Sequence, residues 1–489
     1  MIQHDTSDVI FALSSAKGRS AVSLHRISGP NVLKKVTPLL RKPEILGDSS
    51  ITKRNKTVEL SPSLSKYCLL VSKDDEIIDD CLVTYFKAPH SYTGEDTIEI
   101  GSHGNPLIIA KLHSTLRQLG MREAKPGEFT QRSYLNGKMD LTRAEAIDQL
   151  IHADTYAGIA LARQASEGRI AEVAMNIRQR LTSAMAYFEA HIDFADDEVG
   201  NYDSRSQSLL LSDIRSELKR LMESFSVGLK IREGLRVAFV GVPNAGKSSL
   251  YNALLGYERA IVTDIPGTTR DILEDRLILN KRDFILLDTA GIRETSDTVE
   301  KIGVKRTWDS AKNADVLCLV IDPTQHPAAT LEETMLQQSN ELLKPIQGHG
   351  VSNVVVVLTK EDSWTDKQKA EWSNLKNKNE NYKFLLCETS ASHAKIGAFT
   401  ALLESVHDRL CSLEQSQESA ILISERQRDK VALALKSLDV AISLVSENDF
   451  PEKVASMLIQ TAQHVSEIVG EIGTEDILNN IFANFCIGK

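Results

Sequence analysis

Gly241-Val-Pro-Asn-Ala-Gly246-Lys247-Ser248 has the spacing G-x-x-x-x-G-K-[ST]. Glycines at these two places let a backbone turn its N–H groups onto phosphate oxygens, and a helix that begins there adds positive potential. Lys247 then reaches the β- and γ-phosphates, and the Ser248 hydroxyl ligates Mg²⁺. The flanks make the motif credible: Val237-Ala-Phe-Val240 reads as a strand before it, and Ser249-Leu-Tyr-Asn-Ala-Leu-Leu as a helix after it. Gly267-Thr268-Thr269-Arg270-Asp271 and then Asp288-Thr289-Ala290-Gly291 follow in order. A threonine such as Thr269 completes the Mg²⁺ shell when a γ-phosphate is present. Asp288 holds the same ion through water, and the Gly291 amide senses the γ-phosphate. Ile292 stands where Ras-like switches carry a catalytic glutamine. It cannot orient water, so another group must.

The base is read further on. Thr359-Lys360-Glu361-Asp362 follows the apolar run Val354 to Leu358. A carboxylate such as Asp362 pairs with the N1–H and 2-amino group of guanine and selects GTP over ATP, and the Lys360 stem packs on the base. This signature usually opens with Asn. Thr359 stands there instead, and its hydroxyl replaces part of the amide's hydrogen bonding. Thr389-Ser390-Ala391 supplies a second base-facing turn.

These loops need a sheet behind them. Leu235 to Val240, Asp283 to Leu287, Asp315 to Ile321, Val354 to Leu358 and Tyr382 to Leu386 are short apolar runs, expected as buried strands of a largely parallel sheet within residues 233–411. Both flanks are helical. In 137–232, Asp140 caps a helix carrying Leu141, Ala144, Ile147 and Ile151, and a later one carries Ile170, Val173, Ile177, Leu181 and Ala184 on one face. In 412–489, Val431, Leu435, Leu438, Ile442 and Val445 mark another face. An α/β domain inserted into a helical-bundle domain is the economical reading. Residues 1–136 form an α+β domain. Strands are expected at Asp80 to Phe86 and Asp96 to Ile100, and a helix from Ile108 to Leu119 stopped by Gly120. Gly47 to Ser65 reads as a variable loop. The fold class is thus multidomain α/β.

A chain of 489 residues has room for roughly three domains. With 25% charged and 42% hydrophobic residues, it is neither disordered, collagen-like nor a disulfide scaffold. The net charge of −10 argues against unspecific nucleic-acid coating but leaves room for a local RNA-binding patch. The six cysteines form no C-x-x-C pair, which argues against zinc or dithiol redox chemistry and suits a reducing compartment. No apolar run approaches the ~18 residues of a membrane span. The N-terminal residues lack a basic leader, so a cytoplasmic location is expected, or the mitochondrial matrix for a eukaryotic source.

With these residues placed, the chain resembles the MnmE (TrmE) family of tRNA-modification GTPases nearly end to end. The motifs that carry the resemblance are Gly241 to Ser249, Ile261-Val-Thr-Asp-Ile-Pro-Gly-Thr-Thr-Arg-Asp271 and the terminal Phe485-Cys-Ile-Gly-Lys489. In the first domain they are Arg26-Ile-Ser-Gly29, Ser91-Tyr-Thr-Gly-Glu-Asp96, Pro126-Gly-Glu-Phe129 and Leu135 to Leu141. A P-loop alone would say only NTPase; the terminal C-I-G-K joined to the N-terminal motifs selects this family.

The resemblance implies a GTP site of Asn244, Ala245, Gly246, Lys247, Ser248 and Ser249, with Thr263, Asp264, Ile265, Pro266, Gly267, Thr268 and Thr269. Asp288, Thr289, Ala290, Gly291, Thr359, Lys360, Asp362, Ser390 and Ala391 complete it. It assigns K⁺ to Asn244, Thr268 and the carbonyls of Thr263 and Ile265, and makes Glu300 the residue that orients the attacking water through a second water. It implies a homodimer joined through the N-terminal domains. Each would bind 5,10-methylene-tetrahydrofolate, with 5-formyl-tetrahydrofolate as its analogue, at Arg26, Glu95, Lys138 and the nearby Lys489. It further implies a GidA-like, FAD-dependent partner, forming a heterotetramer that adds an aminomethyl-type group to C5 of the wobble uridine, position 34, of certain tRNAs. Cys486 lies in or beside that modification site, either as a thiolate nucleophile or as a small packed residue.

A pure GTP switch, as in ribosome-assembly GTPases, explains residues 233–411 equally well but gives no use for Glu95, Lys138 or the terminal C-I-G-K. A P-loop kinase is disfavoured by Thr359 to Asp362 and by Gly267 to Thr269.

Overall fold

The computed structural model describes residues 8–43, 58–153, 155–193, 203–256, 260–262, 274–287, 312, 314–325, 330–344, 353–377, 385–389, 396–411, 420–447, 450–471, 478, 481–483, 485 and 487–488. In chain order the elements begin with β1 (Ile10–Leu13), β2 (Ser20–Ser28), α1 (Val32–Val36), β3 (Leu40–Arg41), β4 (Ser65–Val71), β5 (Ile77–Phe86), β6 (Thr97–Gly104), α2 (Pro106–Gln118) and β7 (Arg122–Glu123). Helices follow: α3 (Glu128–Leu135), α4 (Leu141–His152), α5 (Tyr156–Ser166), α6 (Arg169–Asp193) and α7 (Ser204–Glu233). Next come β8 (Leu235–Val240), α8 (Lys247–Leu255), β9 (Ala260–Val262), β10 (Glu274–Leu279), β11 (Arg282–Leu287), β12 (Val316–Ile321), α9 (Leu331–Leu343) and β13 (Val354–Leu358). The order closes with α10 (Asp366–Asn377), β14 (Leu385–Glu388), α11 (Gly397–Leu410), α12 (Glu425–Ser446) and α13 (Pro451–Val469).

The chain groups into two compact units. One comprises Met1–Asp148, Ser166–Arg215 and Asp429–Lys489; the other Gln149–Ala165 and Ser216–Arg428.

The first unit holds a sheet in the order β3-β4-β5-β6-β2-β1-β7, antiparallel except where β7 runs parallel to β1. Along β5, Asp79, Cys81, Val83 and Tyr85 alternate inward, the period of two that a one-sided sheet requires. Their face packs with Phe11, Ile27, Leu70, Ile98 and Ile100 and with Leu112 and Leu116 of α2. Asn105 caps α2 by accepting from the Leu107 N–H, and Gly120, with φ of 73°, lies just beyond its end. As expected, Asp140 caps α4, accepting from the Arg143 N–H at 3.0 Å. Helix α6 buries Ile170, Ile177, Leu181 and Phe188 and packs against α13, which buries Val454, Leu458 and Val465. Leu478, Phe482 and Phe485 seat on Leu141 and Ala144. A Cβ at Gly127 would stand 2.6 Å from the Phe482 carbonyl, so this approach needs glycine.

The second unit holds a sheet in the order β14-β13-β12-β8-β11-β10-β9. Its strands from β14 to β11 are parallel. All six residues of β12 are buried, as a strand covered on both faces requires. β10 pairs antiparallel with β11 through Asn280-Lys281, whose φ values of 48° and 67° make the tight hairpin turn that matches strand twist. Sequence patterning missed β10 because its first three residues, Glu274, Asp275 and Arg276, are charged. The last strand lies at Leu385–Glu388, later than the expected Tyr382 to Leu386.

Candidate functional site

The phosphate loop joins β8 to α8. Gly241 leaves the sheet so close to β12 that a Cβ would stand 2.3 Å from the Val320 carbonyl. Asn244 and Gly246 take positive φ, 61° and 96°, which turns the loop back on itself. Ala245 is buried and Gly246 caps α8. The Lys247 ammonium reaches back over the loop and donates to the carbonyls of Gly241 and Val242, both at 2.9 Å. Burial lowers its pKa. Carbonyls are weak substitutes for phosphate oxygens, so this cation is set to exchange them for an anion. Ser248, Ser249 and Asn244 are exposed on the same rim.

The loop from Thr359 to Asp362, expected from the sequence to read the base, meets the loop from Gly241 to Gly246 directly. Thr359, buried at the end of β13, donates its hydroxyl proton to the Ala245 carbonyl at 2.7 Å, with the Ile321 carbonyl at 3.2 Å. The Trp364 indole N–H donates to the Thr359 carbonyl at 2.9 Å. Lys360 takes φ of 56°, and its ammonium lies 2.6 Å from Asp322. Burial pushes the Asp322 carboxyl up, but the hydrogen bonds from Lys360 and Thr324 outweigh it and hold its pKa below the usual value. Asp362 is exposed. The structure therefore brings Asn244 to Ser249 together with Thr359. Thr263, Asp264, Ile265, Pro266, Gly267, Thr268, Thr269, Asp288, Thr289, Ala290, Gly291, Glu300, Ser390 and Ala391 lie outside the described residues.

Asp283 is the second residue of β11, the strand that runs toward Asp288. It is 2% exposed, and neither carboxylate oxygen finds a well-aligned hydrogen bond among the described residues. Burial pushes its pKa up to about 6, against partial relief from the Arg276 charge and the Tyr156 amide. Sequence patterning took this residue for an ordinary strand terminus.

A second constellation lies in the first unit. Arg26 on β2 donates from Nε and Nη2 to Glu99 at 3.0 and 2.8 Å, and its guanidinium lies 5.0 Å from the Tyr92 ring centre. Glu95 accepts from the Ser28 hydroxyl at 2.8 Å and pairs with Arg132 at 3.4 Å. Lys138 donates to the Pro89 carbonyl at 2.9 Å, and its stem lies 3.2 Å from where a Cβ on Gly94 would stand. Arg26 and Lys138 thus both contact the segment from Pro89 to Glu95, which carries the third sequence-selected residue. The Gly488 carbonyl accepts from Ser14 at 2.9 Å and lies 3.4 Å from Arg26 Nη1, so the end of the C-I-G-K motif reaches the same place. Cys486 and Lys489 are outside the described residues.

Sequence reading missed Arg132. It is 2% exposed and joins Glu95 to Asp8 and Glu128. Only its place three residues after the quoted Pro126 to Phe129 motif could have signalled it. Chemically, a half-buried carboxylate beside a half-stacked guanidinium suits a flat heterocycle with amide-like donors and an anionic tail.

The sequence profile described as the MnmE helical domain matches residues 141–486, and that of the GTP-binding protein TrmE N-terminus matches 9–138. The chain is 34% identical over 495 residues to the tRNA modification GTPase MnmE of Christiangramia forsetii, covering 99% of each chain. To the protein of that name from Aquifex aeolicus it is 36% identical over 482 residues, 98% of this chain and 99% of the other. To that of Clostridioides difficile it is 32% identical over 488 residues, 99% of each. Among the described residues no helix is long and apolar enough to cross a membrane.

Proposed function

Since the chain belongs to the MnmE family of tRNA modification GTPases, we propose that it hydrolyses GTP and acts in the modification of tRNA. The observation that carries this reading is the phosphate loop itself. Lys247 is folded onto the loop's own carbonyls at the N-terminus of α8, with Thr359 binding the base-reading loop to Ala245. In this reading Lys247 places its charge on the β- and γ-phosphates and Asp362 accepts from the guanine edge. Ser248 and Thr269 hold Mg²⁺, with Asp288 behind a water. Asn244, Thr268 and the carbonyls of Thr263 and Ile265 hold K⁺. These cations, when bound, neutralise charge that develops on the transferring phosphoryl group. Glu300 orients the water that Ile292 cannot.

The finer chemistry belongs to the same proposal. Arg26, Glu95, Lys138 and Lys489 bind a one-carbon tetrahydrofolate. The chain works as a homodimer with an FAD-carrying, GidA-like partner, and the folate, when bound, would supply the one-carbon unit of the aminomethyl-type group added with an amine at C5 of the wobble uridine, position 34, of certain tRNAs. The meeting of Gly488 with Ser14 and Arg26 favours this over a pure GTP switch, for which the N-terminal constellation has no use.

Steady-state hydrolysis tests it. GTP is turned over and ATP is not, turnover rises when K⁺ replaces Na⁺ at equal ionic strength, and Glu300→Ala keeps GTP binding but loses most turnover. Equal use of ATP and GTP removes the guanine assignment. Indifference to the cation removes the K⁺ mechanism alone.

A further inference from the structure

We propose that Thr359 leaves the N7 edge of the bound guanine unread, so that base selection rests on Asp362. The inference depends on the guanine reading given above. A threonine hydroxyl carries one proton, whereas an asparagine amide carries two N–H donors. Among the described residues, the two hydrogen-bond partners of the Thr359 hydroxyl are both carbonyls, Ala245 at 2.7 Å and Ile321 at 3.2 Å. Both only accept, so they compete for that single proton. Guanine N7 and O6 are acceptors as well, so the hydroxyl's lone pairs are of no use to them.

Turning the proton toward the base would strip it from the carbonyl of Ala245, a residue with no exposed surface. An unpaired buried acceptor loses as much as one new neutral hydrogen bond returns, so the exchange brings no gain. Two neighbouring side-chain donors among the described residues are already engaged. The Trp364 N–H is committed to the Thr359 carbonyl, and the Lys360 ammonium is drawn to Asp322. An asparagine at 359 would keep the bond to Ala245 and still have an N–H for the base.

The test is competition against a fluorescent guanine nucleotide on the full-length chain with Mg²⁺, comparing GDP with 7-deaza-GDP, in which N7 becomes C–H. The native chain is expected to bind the two within about twofold. Thr359→Asn is expected to prefer GDP by about five- to tenfold, the worth of one added hydrogen bond. Thr359→Val, which removes the hydroxyl and keeps the shape, should weaken both nucleotides equally. A native preference for GDP of about fivefold or more would overturn the proposal. So would a Thr359→Asn chain that still binds the two alike. Binding of ATP in place of either guanine nucleotide would instead overturn the guanine reading.

Discussion

Glu95 sits among Ser28, Arg132 and the backbone of its own loop, 13% exposed. Truncation removes a charged acceptor, yet Arg132 keeps Asp8 and Glu128, so the fold should survive. Glu95→Ala in the full-length chain is therefore expected to weaken 5-formyl-tetrahydrofolate binding about tenfold or more, the loss of hydrogen bonds to a charged group. Calorimetry reads this directly, and absence of heat with the folded native chain would remove folate from the account. Asp283 makes a different kind of claim. Its folded pKa is raised from 3.8 to about 6, so the protonated form is the one folding favours. Below the unfolded value both states hold the proton and no penalty exists. As pH rises toward 6 the unfolded chain ionises first, and stability is lost. Asp283→Asn cannot ionise, so it should gain about 1–1.5 kcal/mol on the native chain between about pH 5 and about pH 7.5. The three tryptophans, at 308, 364 and 372, all belong to the second unit, so urea unfolding followed by their fluorescence isolates the effect. A pH-independent difference would show that the carboxyl is ionised in the folded state.

The β10–β11 hairpin turns on Asn280 and Lys281. Lysine at φ of 67° carries a steric cost that glycine does not, so Lys281→Gly is expected to stabilise the second unit by about 0.5–1 kcal/mol despite the freer unfolded chain. The same tryptophan transition measures it, and a lowered urea midpoint would contradict the strain argument. This hairpin also shows where reading the sequence ran short. Strands β8, β11, β12 and β13 are runs of buried apolar residues, legible because both faces are covered. β10 has a charged first half, and its turn is Asn-Lys where Asn-Gly would have announced it. The phosphate loop was legible because all its parts are contiguous. The N-terminal constellation was not, because the pairing of Arg26 with Glu99 and of Arg132 with Glu95 is made across strands and loops. Only the resemblance to a family pointed to Arg26, Glu95 and Lys138, and it was silent on Arg132.

The second unit lies wholly within residues 149–428, whereas the first is completed by residues 429–489. A chain cut after Arg428 is expected to keep the tryptophan unfolding transition and guanine-nucleotide binding. It should lose tetrahydrofolate binding and much of its helical circular dichroism, because α6 no longer has α13 to cover it. Loss of nucleotide binding in that chain would show that the second unit cannot stand without the rest. The same arrangement governs how the protein is born. The ribosome delivers α4 and α6 long before α13, Phe482 and Phe485, and at cellular elongation rates the wait is on the order of tens of seconds. The N-terminal sheet can close its own core in that interval, but the apolar stripes of α4 and α6 lack their C-terminal cover until then. Nascent chains are thus expected to present those stripes until Phe482 and Phe485 have been translated, and a stalled ribosome would leave them uncovered for as long as the stall lasts.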